Sequence, residues 1–148
     1  MEIPLTSKII FYADIIVFGI FCLIVWLWQL DILRGGSREN PDGSVDDWRV
    51  QKIHYGMALA DITLAVPVAM VGIILIFTEQ TLGYYLTGLA AFWYLWANLM
   101  TTATSLRFEK PKVTAMWILV FPAQALIALV YLIWSIVYFD AIFKSAGT

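Results

Sequence analysis

Residues 53–77 read IHYGMALADITLAVPVAMVGIILIF, an apolar run that encloses one carboxylate, Asp61, and one proline, Pro67. A helix needs about 20 apolar residues to cross the hydrocarbon core of a bilayer, and this run supplies them. A charge at the bilayer centre costs about 2.5–3.5 kcal/mol on insertion scales, so an acid at the depth of Asp61 is a functional candidate by default. The run therefore raises two questions at once: what else crosses the membrane, and what meets the carboxylate.

Three more apolar runs of similar length, 9–30, 83–106 and 113–139, account for most of the remaining chain. None alternates with a period of two, which excludes barrel strands. Composition agrees. Of 148 residues 61% are hydrophobic and only 14% charged, against about 25% charged in an ordinary soluble domain. The expectation is an all-α integral membrane protein, a single domain over residues 1–148 built as an antiparallel bundle of four transmembrane helices. The first run lacks a cationic leader and a small-residue cleavage site, so it reads as a retained helix rather than a signal peptide.

Cations cluster in two of the connections. Arg34, Arg38, Arg49 and Lys52 fall between the first and second runs, and Arg107, Lys110 and Lys112 between the third and fourth. The positive-inside rule places loops 31–52 and 107–112 in the cytoplasm and both termini on the other side, where Lys8 and Lys144 lie. Trp48, Trp117, Tyr84, Tyr85 and Tyr138 stand near helix ends, where amphipathic rings favour the headgroup zone. The loop 31–52 carries the turn pairs Gly35-Gly36, Asn40-Pro41 and Asp42-Gly43, then Ser44-Val45-Asp46-Asp47, side chains suited to cap the next helix. It reads as a solvated connector that can also serve as a docking surface. Pro111 is placed to start the last helix.

Helical wheels at about 100° per residue gather the polar groups. His54, Ala58, Asp61, Ala65 and Gly72 share a stripe on the second helix, and small residues there permit close helix approach. Thr87, Ala91, Tyr94, Asn98, Thr102 and Ser105 share one on the third, with Phe92, Trp93 and Trp96 pointing away towards lipid or a partner. Trp117, Gln124, Tyr131, Ser135 and Tyr138 line up on the fourth. At 1.5 Å per residue Asp61 and Asn98 both lie about 12 Å from the cytoplasmic ends of their helices, so they are expected to face each other. Gln124 lies about 17 Å in, with Thr101, Thr102, Ser105 and Gln29 at shallower levels. Asp61, Asn98, Thr101, Thr102, Ser105 and Gln124 make the expected intramembrane polar layer. Asp14 is a second intramembrane acid, about 8 Å from the opposite surface, within range of Lys8, Tyr84, Thr87, Tyr138 and Lys144.

Several chemistries are excluded or weakened. Cys22 is the only cysteine and His54 the only histidine, so an intrachain disulfide, a cysteine cluster and bis-histidine haem ligation within the chain are impossible. His54 and Asp61 share a face but stand about 10 Å apart along the axis, too far to bond directly or form a metal's ligand set, and no metal site is expected. The net charge of −2, without a basic block, argues against nucleic acid. Pro67 and Pro122 should free the carbonyls of Thr63 and Ile118 and kink their helices. No motif carries a resemblance to a known family.

The first functional expectation is a non-catalytic transmembrane subunit of a larger membrane complex, with membrane lipids and other membrane subunits as partners and no required cofactor. One alternative is a small proton-coupled transporter with Asp61 as carrier and Asn98, Thr102 and Gln124 as polar contacts. Another is a protein that binds a lipid or quinone headgroup near His54, Tyr55 and Arg107.

Overall fold

The structure, a computed structural model, describes residues 3–36, 39, 43–45, 47–107 and 112–143. Every regular element among the described residues is helical: α1 (Leu5–Leu33), α2 (Trp48–Ala60), a π-helical turn (Asp61–Ala65), α3 (Val66–Phe77), α4 (Thr81–Arg107), α5 (Ala115–Val120), α6 (Pro122–Val137) and the short α7 (Phe139–Phe143). An isolated antiparallel bridge, Glu39 to Val45, folds the long loop back on itself. Gly35 and Gly43 take the left-handed backbone conformation that its turns need, at φ 95° and 77°. The expected cap before α2 falls to Asp47, whose Oδ1 accepts from the backbone N–H groups of Arg49 and Val50. Asn40, Pro41, Asp42, Asp46, Arg38, Lys110, Pro111 and Lys144, and the side chain of Trp48, lie outside the described residues.

Three helical stretches are long and apolar enough to cross a membrane: Leu5–Leu33, Arg49–Phe77 and Ala115–Val137. Each extends or trims the expected run by a few residues at its ends. The expected fourth run lies within α4, which is 27 residues long but less apolar than the other three. The cause is its content of Thr81, Thr87, Thr101, Thr102, Thr104, Tyr84, Tyr85, Tyr94 and Asn98; it has no charged residue before Arg107.

Both prolines interrupt their helices, by different means. Pro67 has no N–H to offer, and the backbone answers one turn earlier by widening: the N–H of Val66 bonds to the carbonyl of Asp61, five residues back. At Pro122 the chain breaks at the preceding residue, Phe121, which separates α5 from α6. The N-cap of α5 is Thr114, whose hydroxyl accepts from the N–H of Trp117.

The helices form four columns: α1; α2, the π turn and α3; α4; and α5 with α6. The first packs on the second and on α6, while α4 packs on α3 and α6, so consecutive columns adjoin around a ring. Rings meet across its centre, Phe11 stacking with Tyr84 and Phe18 meeting Tyr94 edge-on. The core runs down this centre through Phe11, Ile15, Phe18 and Cys22 of α1, Ala69, Ile73 and Ile76 of α3, Ala91 and Tyr94 of α4, and Ala128 and Tyr131 of α6. The three polar stripes read from the sequence all turn inward, with Asp61, Thr87, Asn98, Ser105 and Gln124 buried.

The α3–α4 turn shows how closely these columns approach. The N–H of Glu79 bonds to the carbonyl of Ile76 and that of Gln80 to the carbonyl of Leu75, the paired bonds of a Schellman C-cap. Its left-handed position, where glycine is favoured, is held by Glu79 at φ 58°, at a cost of about 1 kcal/mol or more. Beyond the turn Gly72 and Gly83 bring the two backbones together: a Cβ on Gly83 would stand 2.5 Å from the Ile76 nitrogen, and one on Gly72 2.5 Å from the Thr87 hydroxyl oxygen.

These contacts make the helix pair intolerant of a single methyl group. Gly83→Ala and Gly72→Ala should each destabilise the protein by about 1–3 kcal/mol, since backbone must move. Gly56→Ala, at a position with open space around it, should be neutral or stabilising. Unfolding midpoints in detergent check this, and equal effects at all three positions would refute the close approach.

Candidate functional site

The candidate site is built around Asp61, which is 6% exposed at the junction of α2 and the π turn. Both carboxylate oxygens accept from neighbouring columns. Gln29 Nε2 of α1 donates to Oδ2 at 2.7 Å, and Trp93 Nε1 of α4 donates to Oδ1 at 3.0 Å. In a low-dielectric interior such hydrogen bonds are costly to remove. One side chain thus ties three columns together.

The expected pairing of Asp61 with Asn98 is not what the structure shows. Asn98 Nδ2 donates to the Tyr94 carbonyl at 2.8 Å and to Gln124 Oε1 at 3.3 Å, so its partners are its own helix and α6. Asp61 and Asn98 do border one cavity, but a shared level leaves the direction of each side chain open. Trp93, read as pointing away from the interior, is instead half-buried and reaches Asp61; its indole spans the distance that a shorter side chain on the same face could not. Gln29 was placed among the polar residues of the cytoplasmic half, yet not as the partner of Asp61. Counting along the helices did not reveal it, since Gln29 comes four residues before the end of α1 and Asp61 thirteen residues after the start of α2, levels that do not match.

Between these groups lies a cavity of about 50 Å³, lined by Gln29, Asp61, Trp93, Asn98, Thr101 and Gln124 with Val25, Trp28, Met57, Tyr94, Ala97, Val120 and Phe121. It has room for about one or two water molecules, and its walls supply the polar partners that a buried water needs. The π turn and the break at Phe121 both border it. Each exposes backbone or redirects side chains where an unbroken helix would close the space.

The remaining expected residues are placed as follows. Thr101 donates to the Ala97 carbonyl, a bond within α4. Thr102 is half-buried, and its hydroxyl is enclosed without a hydrogen-bond partner among the described residues; Ser105 is buried a turn further on. His54 is half-buried on α2, while Tyr55 and Arg107 are exposed. These three line neither the Asp61 cavity nor the larger recess at the far end of the molecule. Asp14 is half-buried on α1, and its Oδ2 is enclosed with no hydrogen-bond partner among the described residues. The hydroxyls of Thr87 and Ser135 are enclosed beside that of Tyr131. Among the described residues no group of three or more His, Cys, Asp or Glu is gathered for a metal ion.

The Asp61 cluster makes a stability prediction. Asp61→Ala leaves the Gln29 amide and the Trp93 indole N–H without their acceptor and should cost about 1–3 kcal/mol, whereas Asp61→Asn keeps one acceptor oxygen and should cost about 1 kcal/mol. In a double-mutant cycle Asp61→Ala and Gln29→Ala should be coupled by about 0.5 kcal/mol or more. Additive losses in detergent unfolding would show that the observed bond contributes no coupling.

Compared with protein-family models, with curated proteins and with solved structures, the chain matches none.

Proposed function

We propose that the chain is an integral membrane protein whose four helical columns all cross the bilayer as an antiparallel bundle, and that it serves as a non-catalytic subunit of a larger membrane complex. The observation that carries this reading is how the interior is filled. Asp61, Gln29, Trp93, Asn98 and Gln124 are spent on one another, and the space left among them is water-sized. Such an interior holds helices in register. In this conformation the space beside Asp61 is smaller than a typical site for an organic ligand.

The crossing of α4 is supported by its length and by its freedom from charge between Thr81 and Leu106, since Tyr and Trp lower a hydropathy average yet favour membrane boundaries. The outside supports contact with lipid or neighbouring subunits on every column: Ile20 and Leu27, Leu64 and Ile74, Phe92 and Trp96, and Leu126 and Ile136 are all exposed. We place loops 31–52 and 107–112 in the cytoplasm by their cations, with both chain ends opposite.

One observation favours a second reading, proton-coupled transport. The cavity opens directly on the Asp61 carboxylate, at a π turn, an element often found at functional sites.

Two measurements separate the readings. Extracted in mild detergent from its own membrane, the protein should run in a native gel with other chains at a fixed ratio, and Asp61→Asn should alter little beyond stability and assembly; a stable isolated homodimer would overturn the subunit reading. In proteoliposomes the transport reading expects uptake driven by a pH gradient and abolished by Asp61→Asn. Uptake unaffected by that change would remove Asp61 from any transport role.

A further inference from the structure

The largest recess described lies far from Asp61, at the end of the molecule where Ile3 of the amino-terminal segment and Ile142 of α7 both reach it. Its volume is about 360 Å³, within the range of small-molecule sites. The floor is aromatic and fixed. Phe11 and Trp134 stack with centroids 3.8 Å apart and planes 19° from parallel, and Tyr84 continues the stack against Phe11 at 5.6 Å and 16°. Trp134 Nε1 donates to Ser7 Oγ at 2.8 Å, which fixes that ring, and the Tyr131 hydroxyl donates to the Tyr84 backbone carbonyl at 2.7 Å, which ties α6 to α4 beneath the stack.

Opposite charges line this recess from different elements. Lys8 comes from α1 and Glu79 from the α3–α4 turn, with Thr81 at the start of α4 beside it. Glu79 occupies the one non-glycine left-handed backbone position among the described residues. Glycine would serve that turn better, so the turn itself gives no reason for a carboxylate there, and the side chain points to a use beyond the backbone. Just beside the recess the columns present exposed Leu5, Ile9, Phe77 and Leu82, apolar chains suited to acyl tails.

We propose that this recess binds the zwitterionic headgroup of a membrane phospholipid, with the phosphate at Lys8 and Thr81 and the ammonium at Glu79 above the aromatic floor. Charge complementarity selects this occupant. An anionic headgroup would satisfy Lys8 but meet repulsion from Glu79, and a purely cationic ligand would meet the reverse. The position at the ends of apolar columns favours a lipid over a soluble zwitterion, because the tails remain in the hydrocarbon while the headgroup enters the recess.

The test uses the full-length protein in detergent micelles with dioleoyl phosphatidylethanolamine, phosphatidylcholine or phosphatidylglycerol, and counts bound lipid by native mass spectrometry. One zwitterionic lipid per protein should be retained at least tenfold more strongly than phosphatidylglycerol. Retention of phosphatidylethanolamine and phosphatidylcholine alike supports the ammonium site through its charge, and retention of phosphatidylethanolamine alone supports it through N–H donation to Glu79. Lys8→Gln and Glu79→Gly should each weaken that retention at least fivefold. Glu79→Gly is the decisive variant, because glycine suits the left-handed turn and the protein should unfold at no lower temperature than the parent. Unchanged zwitterion retention in folded Glu79→Gly, or equal retention of phosphatidylglycerol by the parent protein, would overturn the proposal. Neither result bears on whether the chain joins a larger complex.

Discussion

A carboxylate about 12 Å inside an apolar column must take its hydrogen bonds from protein, because hydrocarbon offers none. Much of the arrangement of this molecule depends on how Asp61 meets that requirement. Its two oxygens face two different neighbours, Gln29 on α1 and Trp93 on α4, so satisfying the acid also fixes the rotation of two helices about their own axes. In lipid no hydrophobic effect distinguishes one apolar helix face from another, and directional bonds of this kind define which faces meet. Asn98 and Gln124 make the corresponding link between α4 and α6, closing three of the four sides of the ring at nearly one level.

Packing does the rest, and it acts at the opposite end of the columns. There Gly72 and Gly83 bring α3 and α4 so close that a methyl group on either would press on backbone or on Thr87. The two ends therefore cohere by different physics: bond direction around Asp61, and backbone approach with aromatic stacking around Phe11, Tyr84 and Trp134. The helix breaks fit this division. Both the π turn and the Phe121 break sit beside the polar cavity, where side-chain direction matters more than dense packing.

Much of this was legible in the sequence because periodicity reports faces directly. Ala58, Asp61, Ala65 and Gly72, then Thr87, Ala91, Tyr94, Asn98 and Ser105, then Trp117, Gln124 and Tyr131 all turn inward as their spacing requires. Partner choice was less legible. Depth arithmetic brings Asp61 and Asn98 to one level, but a wheel assigns a Cα direction and says little about how far a side chain reaches; Trp93 crosses to the carboxylate from a position read as outward. Nor does a proline announce its remedy. Pro67 and Pro122 look alike in sequence, yet one is met by a widened turn and the other by a break. The recess at the far end was scattered over five elements, with Lys8 and Glu79 separated by 71 residues, so only the fold could bring it together.

The distance between the two polar ends bears on function. A proton moving from Asp61 towards Asp14 would pass Tyr94 and then the level of Phe18, Cys22 and Ile127, where the space between side chains is too small to hold water. The Tyr94 hydroxyl is itself enclosed at this level, beside the Cys22 thiol. Transport would thus require the centre of the ring to open, and the groups that resist opening are the ones that orient the columns, Asp61 with Gln29 and Trp93 and the close pair Gly72 and Gly83. Polar contacts and closest packing that both oppose the motion support the proposed role of a fixed surface over alternation between two shapes.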